Sequence, residues 1–221
     1  MERKQPKTNA AKDTRTNIMD GFRLYVLEQG HMPPSVYQFT KTLKIEEGDF
    51  YDHFTSFSAL RSAFWVEIFD QTLEGLYSQE VYKTYSAREK LLAFFFTWIE
   101  ELKRNRSYLL VLYDRNEPIS KLPPPEIGEF KEKFKEFVKV ILAEGEETEE
   151  IAKRPLITGR YDEGVWLQVW FIFQFWIKDT SPAFEKTDAA IEKSVHLAFD
   201  LMGKNALDSI VDFAKFLFQN K

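Results

Sequence analysis

The most informative stretch of the sequence runs from residue 35 to residue 60. Ser35, Tyr37 and Gln38 open one short segment, and Glu47, Gly48, Asp49, Tyr51, His53 and Thr55 belong to the next. Four carboxylates, Glu46, Glu47, Asp49 and Asp52, stand in that second segment with no Lys or Arg among them. A carboxylate can accept from cytosine N4 in a DNA major groove. It is also repelled by phosphates, whose neutralisation supplies most non-specific affinity for nucleic acid. From Ser35 to Arg61 three bases, Lys41, Lys44 and Arg61, face those four acids, for a net charge of −1.

Catalysis finds no support. The histidines, His31, His53 and His196, are scattered and lack ligand spacing. No Gly-rich phosphate loop, HExxH, GxSxG or other nucleophile arrangement is present. Glu144, Glu146, Glu147, Glu149 and Glu150 read as a solvated face at a helix end rather than a metal site. With no cysteine, disulfides, thiolate metal sites and a Cys nucleophile are excluded. No enzyme and no cofactor is expected.

The elements that must position residues 35–55 are short helices. Ile18, Phe22, Tyr25 and Val26 give a first helix ending near Gly30, a natural residue for the position after a helix. Ser35 is a good N-cap after Pro33-Pro34. Val36, Phe39 and Leu43 then mark one apolar face of a second helix. Ile45 is the apolar residue of a turn, Phe50, Tyr51 and Phe54 supply the next apolar set, and Ser56 or Ser58 can cap the helix that follows. Two short helices joined by a tight turn is how a helix-turn-helix presents its second helix to a major groove. A carboxylate near that helix's amino end is favoured by the helix dipole, so folding is not impaired.

The run Ile45-Glu46-Glu47-Gly48-Asp49-Phe50-Tyr51-Asp52-His53-Phe54, behind a first helix ending in Gly and a capped second helix, resembles the amino-terminal signature of the TetR family of bacterial regulators. Gly48, Tyr51, His53 and Phe54 match outright, Ile45 and Phe50 match in character, and Ala59-Leu60 fit the start of the next helix. The resemblance covers about residues 13–65. It implies a helix-turn-helix DNA-binding domain over 13–55 and a larger helical ligand-binding and dimerisation domain over 56–221. It also implies DNA contacts from Ser35, Tyr37, Gln38, Glu47, Gly48, Asp49, Tyr51, His53 and Thr55. The departures fall at those same positions: Glu46 replaces the usual Ser or Thr at the reading-helix cap, Asp49 a small hydroxyl residue, and Thr55 a frequent Lys. An arm over residues 1–12, with Arg3, Lys4, Lys7 and Lys12 and with Arg15 just beyond it, could supply phosphate or minor-groove contacts or simply solubilise the chain.

Beyond residue 55 the pattern stays helical, giving an all-α fold class. Helices are predicted over 56–79, 86–104, 106–115, 125–144, 162–178, 184–203 and 205–218, with breaks at Pro118, Pro123-Pro124-Pro125, Gly145, Pro155, Gly159, Pro182 and Gly203. At 221 residues, 44% hydrophobic and 29% charged, the chain has the composition of a soluble globular protein. A net charge of −5 gives no global attraction to nucleic acid. The most apolar run, Val165 to Ile177, is too short to span a bilayer and includes Gln168 and Gln174. No apolar leader precedes the polar amino terminus, so a cytoplasmic protein is expected.

The larger domain is rich in aromatics. Phe94, Phe95 and Trp98 share one helix, and Trp166, Trp170 and Phe173 form a stripe on another. Such stripes usually make a plain core. By the family resemblance they are also candidates to line a pocket for an apolar or amphipathic effector, with Gln168 and Gln174 either polar anchors of that pocket or hydrogen-bonded core residues. Apolar faces over 184–203 and 205–218 suit the homodimer that the resemblance implies, with two reading heads about 34 Å apart on a pseudo-palindromic operator. A second possibility keeps the fold but not the DNA: a lipid-binding or protein-interaction module.

Overall fold

In a computed structural model of the chain, residues 7–113, 123–154 and 160–203 are described, the side chains from residue 14 onward. They form nine α-helices: α1 Lys7–Gln29, α2 Val36–Leu43, α3 Glu47–Tyr51, α4 Phe57–Tyr77, α5 Ala87–Arg104, α6 Arg106–Leu112, α7 Gly128–Glu147, α8 Tyr161–Lys178 and α9 Glu185–Met202. Short 3₁₀ turns lie at Glu80–Thr84, Pro125–Ile127 and Pro182–Phe184. No strand occurs among the described residues. No helix among them is long and apolar enough to cross a membrane.

Helix starts follow the capping chemistry. The Ser35 hydroxyl accepts from the backbone N–H of Gln38 at 3.2 Å, Ser56 from Ala59 at 3.1 Å and Ser86 from Glu89 at 3.3 Å. Each satisfies one of the orphan donors of a helix's first turn, a contribution of about 1 kcal/mol. Of the two serines eligible to cap α4, Ser56 does so. Gly30 ends α1 at φ +71°, where a side chain would be strained. Lys44 takes the same left-handed conformation after α2, turning the chain toward α3.

The expectations differ from the structure in several places, among them the start of α7, which begins at Gly128 after a 3₁₀ turn rather than at residue 125. Helix α1 begins at Lys7, so residues 7–12 of the anticipated arm are helical. Helix α6 ends at Leu112 rather than 115. The 3₁₀ turn at Glu80–Thr84 carries no signal in the periodicity. Helix α7 runs through Gly145 instead of breaking there. A Cβ at Gly145 would stand 2.7 Å from Ile151 Cδ1 and 3.0 Å from Ala87 Cβ, so this glycine serves close packing against α5. The helix anticipated over 205–218 lies outside the described residues.

Helices α1–α3 enclose a small aromatic core. Phe22 meets Phe39 edge-on at 5.7 Å between centroids, Phe39 meets Phe50 at 6.2 Å, and Phe57 of α4 packs against all three. That core runs on into the larger unit, because Phe22 also contacts Tyr108 of α6, which packs on Phe64 of α4. In the larger unit α4 lies against α5 and α7, while α8 and α9 pack together and against α7 and α5 respectively.

Candidate nucleic-acid interface and aromatic core

Helices α2 and α3 bury one side and leave the other to solvent. In α2, Phe39 and Thr40 are buried, while Ser35, Tyr37, Gln38 and Lys41 are exposed; Tyr37 is 61% exposed. In α3, Phe50 is buried, and Gly48, Tyr51 and Asp52 are exposed, with Tyr51 at 51%. Glu47, Asp49 and His53 are half-buried, and Thr55 is exposed. A Cβ at Gly48 would meet nothing within 4 Å, so the glycine opens the surface there rather than relieving crowding. The nine residues singled out for DNA contact thus occupy one neighbourhood.

Two of them already have structural work. Ser35 caps α2, and Asp49 Oδ2 accepts the backbone N–H of Glu46 at 3.0 Å, closing the amino end of α3. With Glu46 at the cap and Asp49 three positions on, the pair has the spacing of a capping box and makes its returning half, while the Asp49 N–H donates to the Glu46 backbone carbonyl at 3.1 Å. The Glu46-x-x-Asp49 spacing was the signal available for this role, and it explains an acid where a small hydroxyl is usual. The Tyr51 hydroxyl sits 3.5 Å from Glu47 Oε1, at the outer limit of a hydrogen bond. Lys41 and Lys44 are exposed nearby. Arg15, placed by sequence beside the arm, lies on α1 with its guanidinium 5.1 Å from the Phe54 ring centre. Arg3 and Lys4, and the side chains of Lys7 and Lys12, lie outside what is described.

The aromatic residues singled out in the larger unit come together in part. Trp98, Trp166, Trp170 and Phe173 line a void of only about 10 Å³, together with Trp65, Ile127, Phe130 and Val169. Phe94 and Phe95 are fully buried beside it, Phe94 stacking on Trp98. Gln168 does not join them: its Nε2 donates to Ser194 Oγ of α9 at 2.9 Å, on the outer side of α8. Gln174 is half-buried on α8. Residues that periodicity did not mark complete the neighbourhood. Trp65 stacks on Phe130 and donates its Nε1–H to the Tyr113 hydroxyl at 3.0 Å. These contacts are tertiary, and no local spacing foretells them. Burial pushes the Tyr108 and Tyr113 hydroxyls far above the usual phenol range, so both stay protonated.

The outer faces of α8 and α9 form a shallow apolar groove. Leu167, Phe171, Leu197 and Leu201 are exposed along it, with Leu167 at 64% and Leu197 at 60%. A contiguous apolar patch of this kind marks an interaction surface more often than a scattered leucine does. Among the described residues no His, Cys, Asp or Glu group is arranged to hold a metal.

Comparison with solved structures finds the same fold in a bacterial regulatory protein of the tetR family from Rhodococcus RHA1. The match has a TM-score of 0.53 and 14% identity, over 87% of this chain and 98% of that one. A protein of unknown function from Rhodococcus sp. RHA1 matches with a TM-score of 0.56 and 14% identity, over 86% and 96%. Among curated proteins none matches. The model of the tetracyclin repressor-like C-terminal domain matches residues 90–217, more than half the chain. With a helix-turn-helix at its amino end and that domain behind it, the chain belongs to the TetR family of regulators.

Proposed function

We propose that the protein is a transcriptional regulator that binds operator DNA as a homodimer and responds to an apolar or amphipathic small ligand. The observation that carries this reading is the outer surface of α2 and α3. Tyr37, Gln38, Gly48 and Tyr51 are exposed together on two capped helices, where a recognition surface would need them. The acids do not exclude it, since Asp49 is spent on capping α3 and Glu47 remains available to accept from cytosine N4. The groove on α8 and α9 supports the dimer, and the aromatic core supports the ligand. A ligand would act through different affinities for two spacings of the reading heads. A reader over 13–55 and a ligand-binding and dimerisation unit over 56–221 are the corresponding domains.

The excess of carboxylates over bases from Ser35 to Arg61 favours a second reading, a TetR fold that no longer reads DNA and holds a lipid or protein instead. The substitution Glu47→Lys separates the two. If α3 approaches phosphates, the variant binds random duplex DNA several-fold more tightly at low salt, and the gain disappears as salt rises. An unchanged affinity at all salt concentrations would remove α3 from the DNA.

A further inference from the structure

The aromatic core contains more hydrogen-bond donors than it satisfies. The indole Nε1 atoms of Trp98, Trp170 and Trp176 and the hydroxyl of Tyr108 are fully buried and have no partner among the described residues. Buried Trp and Tyr polar atoms normally find a partner, and each one left without costs stability. Trp98 and Trp170 both line the same void, which at about 10 Å³ has room for one water at most. No lining residue of that void is ionisable. Beside the lining, Arg61 pairs through one terminal nitrogen with Glu126, the residue before Ile127, at 3.3 Å, while its Nε is buried without a hydrogen-bond partner among the described residues.

We propose that this void is the closed state of a site for a neutral ligand, with an apolar body that enters between the rings and a carbonyl or ether oxygen that accepts from Trp98 Nε1 or Trp170 Nε1. The assignment rests on the ligand-responsive reading above and narrows it to a class. An anion is disfavoured because it would be desolvated among rings that carry no cation, with the neighbouring Arg61 charge already paired to Glu126. A plain hydrocarbon gains the apolar burial and leaves both donors unsatisfied. Discrimination by a polar group that would otherwise stay unpaired is steeper than discrimination by size.

Three probes of one shape test this by calorimetric titration of the full chain: acetophenone, α-methylstyrene, which replaces the carbonyl oxygen with a methylene group, and benzoate. All five tryptophans of the chain are buried in this unit, so their emission gives an independent signal of entry. Acetophenone is expected to bind about tenfold more tightly than α-methylstyrene, with benzoate weakest. In Trp98→Phe and Trp170→Phe, which keep a ring and lose the donor, at least one variant should narrow the preference for the ketone to about twofold. If neither variant folds, the three-probe order on the native chain decides alone. Equal or tighter binding of α-methylstyrene overturns the hydrogen bond, and tighter binding of benzoate overturns the neutrality. If both folded variants keep the full preference, the donors are misassigned. Absence of binding by all three at millimolar concentration overturns the site, and leaves both the wider response to an apolar or amphipathic ligand and DNA binding standing.

Discussion

Asp179 shows how much a single side chain can fix. It ends α8, and its carboxylate accepts from the Ser181 hydroxyl at 2.7 Å and backbone at 2.8 Å, and from the Thr187 hydroxyl at 2.7 Å and backbone at 2.9 Å. Burial alone would raise its pKa; the four donors outweigh burial and hold it at about 2. A depressed folded pKa stabilises the protein above the unfolded value, near 4, and that contribution is lost as pH falls through about 2. Asp179→Asn should therefore cost about 1.5–3 kcal/mol in urea unfolding at pH 7, with the gap from the native chain closing between about pH 4 and pH 2. A gap that stays constant over that range would deny the ionised corner. Tyr113→Phe leaves the buried Trp65 indole without its acceptor and should cost about 1–3 kcal/mol by the same measurement. An unaltered unfolding midpoint would show that Trp65 does not depend on that hydroxyl. None of these pairings was visible in the sequence. Asp179 and Ser181 fell in the break between two predicted helices and Thr187 inside the second, and Trp65 and Tyr113 lie 48 positions apart.

At the scale of elements, the short helices of the amino-terminal unit were legible because each carries its own local signal. The serine caps, the glycine after α1 and the apolar spacing of Val36, Phe39 and Leu43 act within a turn or two of the chain. What spacing could not supply was which face meets which neighbour. Gly145 looked like a terminator and is a close-packing position; Gln168 was open as a pocket anchor or a hydrogen-bonded core residue, and bonds to α9. The corner at Arg106 is of the same kind. Its guanidinium lies 4.5 Å from the ring centres of both Trp176 and Phe184 and donates to the carbonyl oxygens of Trp176 and Asp179 at 3.1 Å each. Helix α6 thereby holds the α8–α9 junction at one end while Tyr108 touches α1 through Phe22. Lysine at 106 keeps the charge but loses the planar fork. Arg106→Lys should lower stability by about 1–2 kcal/mol and broaden the amide signals of residues 176–184, the latter read by NMR. A variant with native stability and unchanged spectra would relegate the clamp to a passive contact.

For the whole molecule, the family and the all-α fold were legible in the run from Ile45 to Phe54 together with the helical periodicity behind it, and both stand. The functional assembly was less legible, because an interface belongs to two chains and only one is written in the sequence. The exposed Leu167, Phe171, Leu197 and Leu201 on α8 and α9 are the surface that the proposed homodimer would bury. Leu197→Glu should place like charges at a self-complementary interface and convert a dimer to a monomer in sedimentation velocity at micromolar concentration; a native chain that is itself monomeric would contradict the assembly. A monomer could not present two reading heads at a fixed spacing, so the same substitution should abolish tight operator binding. The proposed function requires that an amino-terminal unit with four carboxylates on and around α3 nevertheless reads DNA. Its most direct test is selection of fragmented genomic DNA on the purified protein at near-physiological salt, followed by sequencing. Recovery of a few fragments sharing an inverted repeat is the predicted result. Uniform or empty recovery by a folded dimer would contradict it and leave the fold serving a lipid or protein partner.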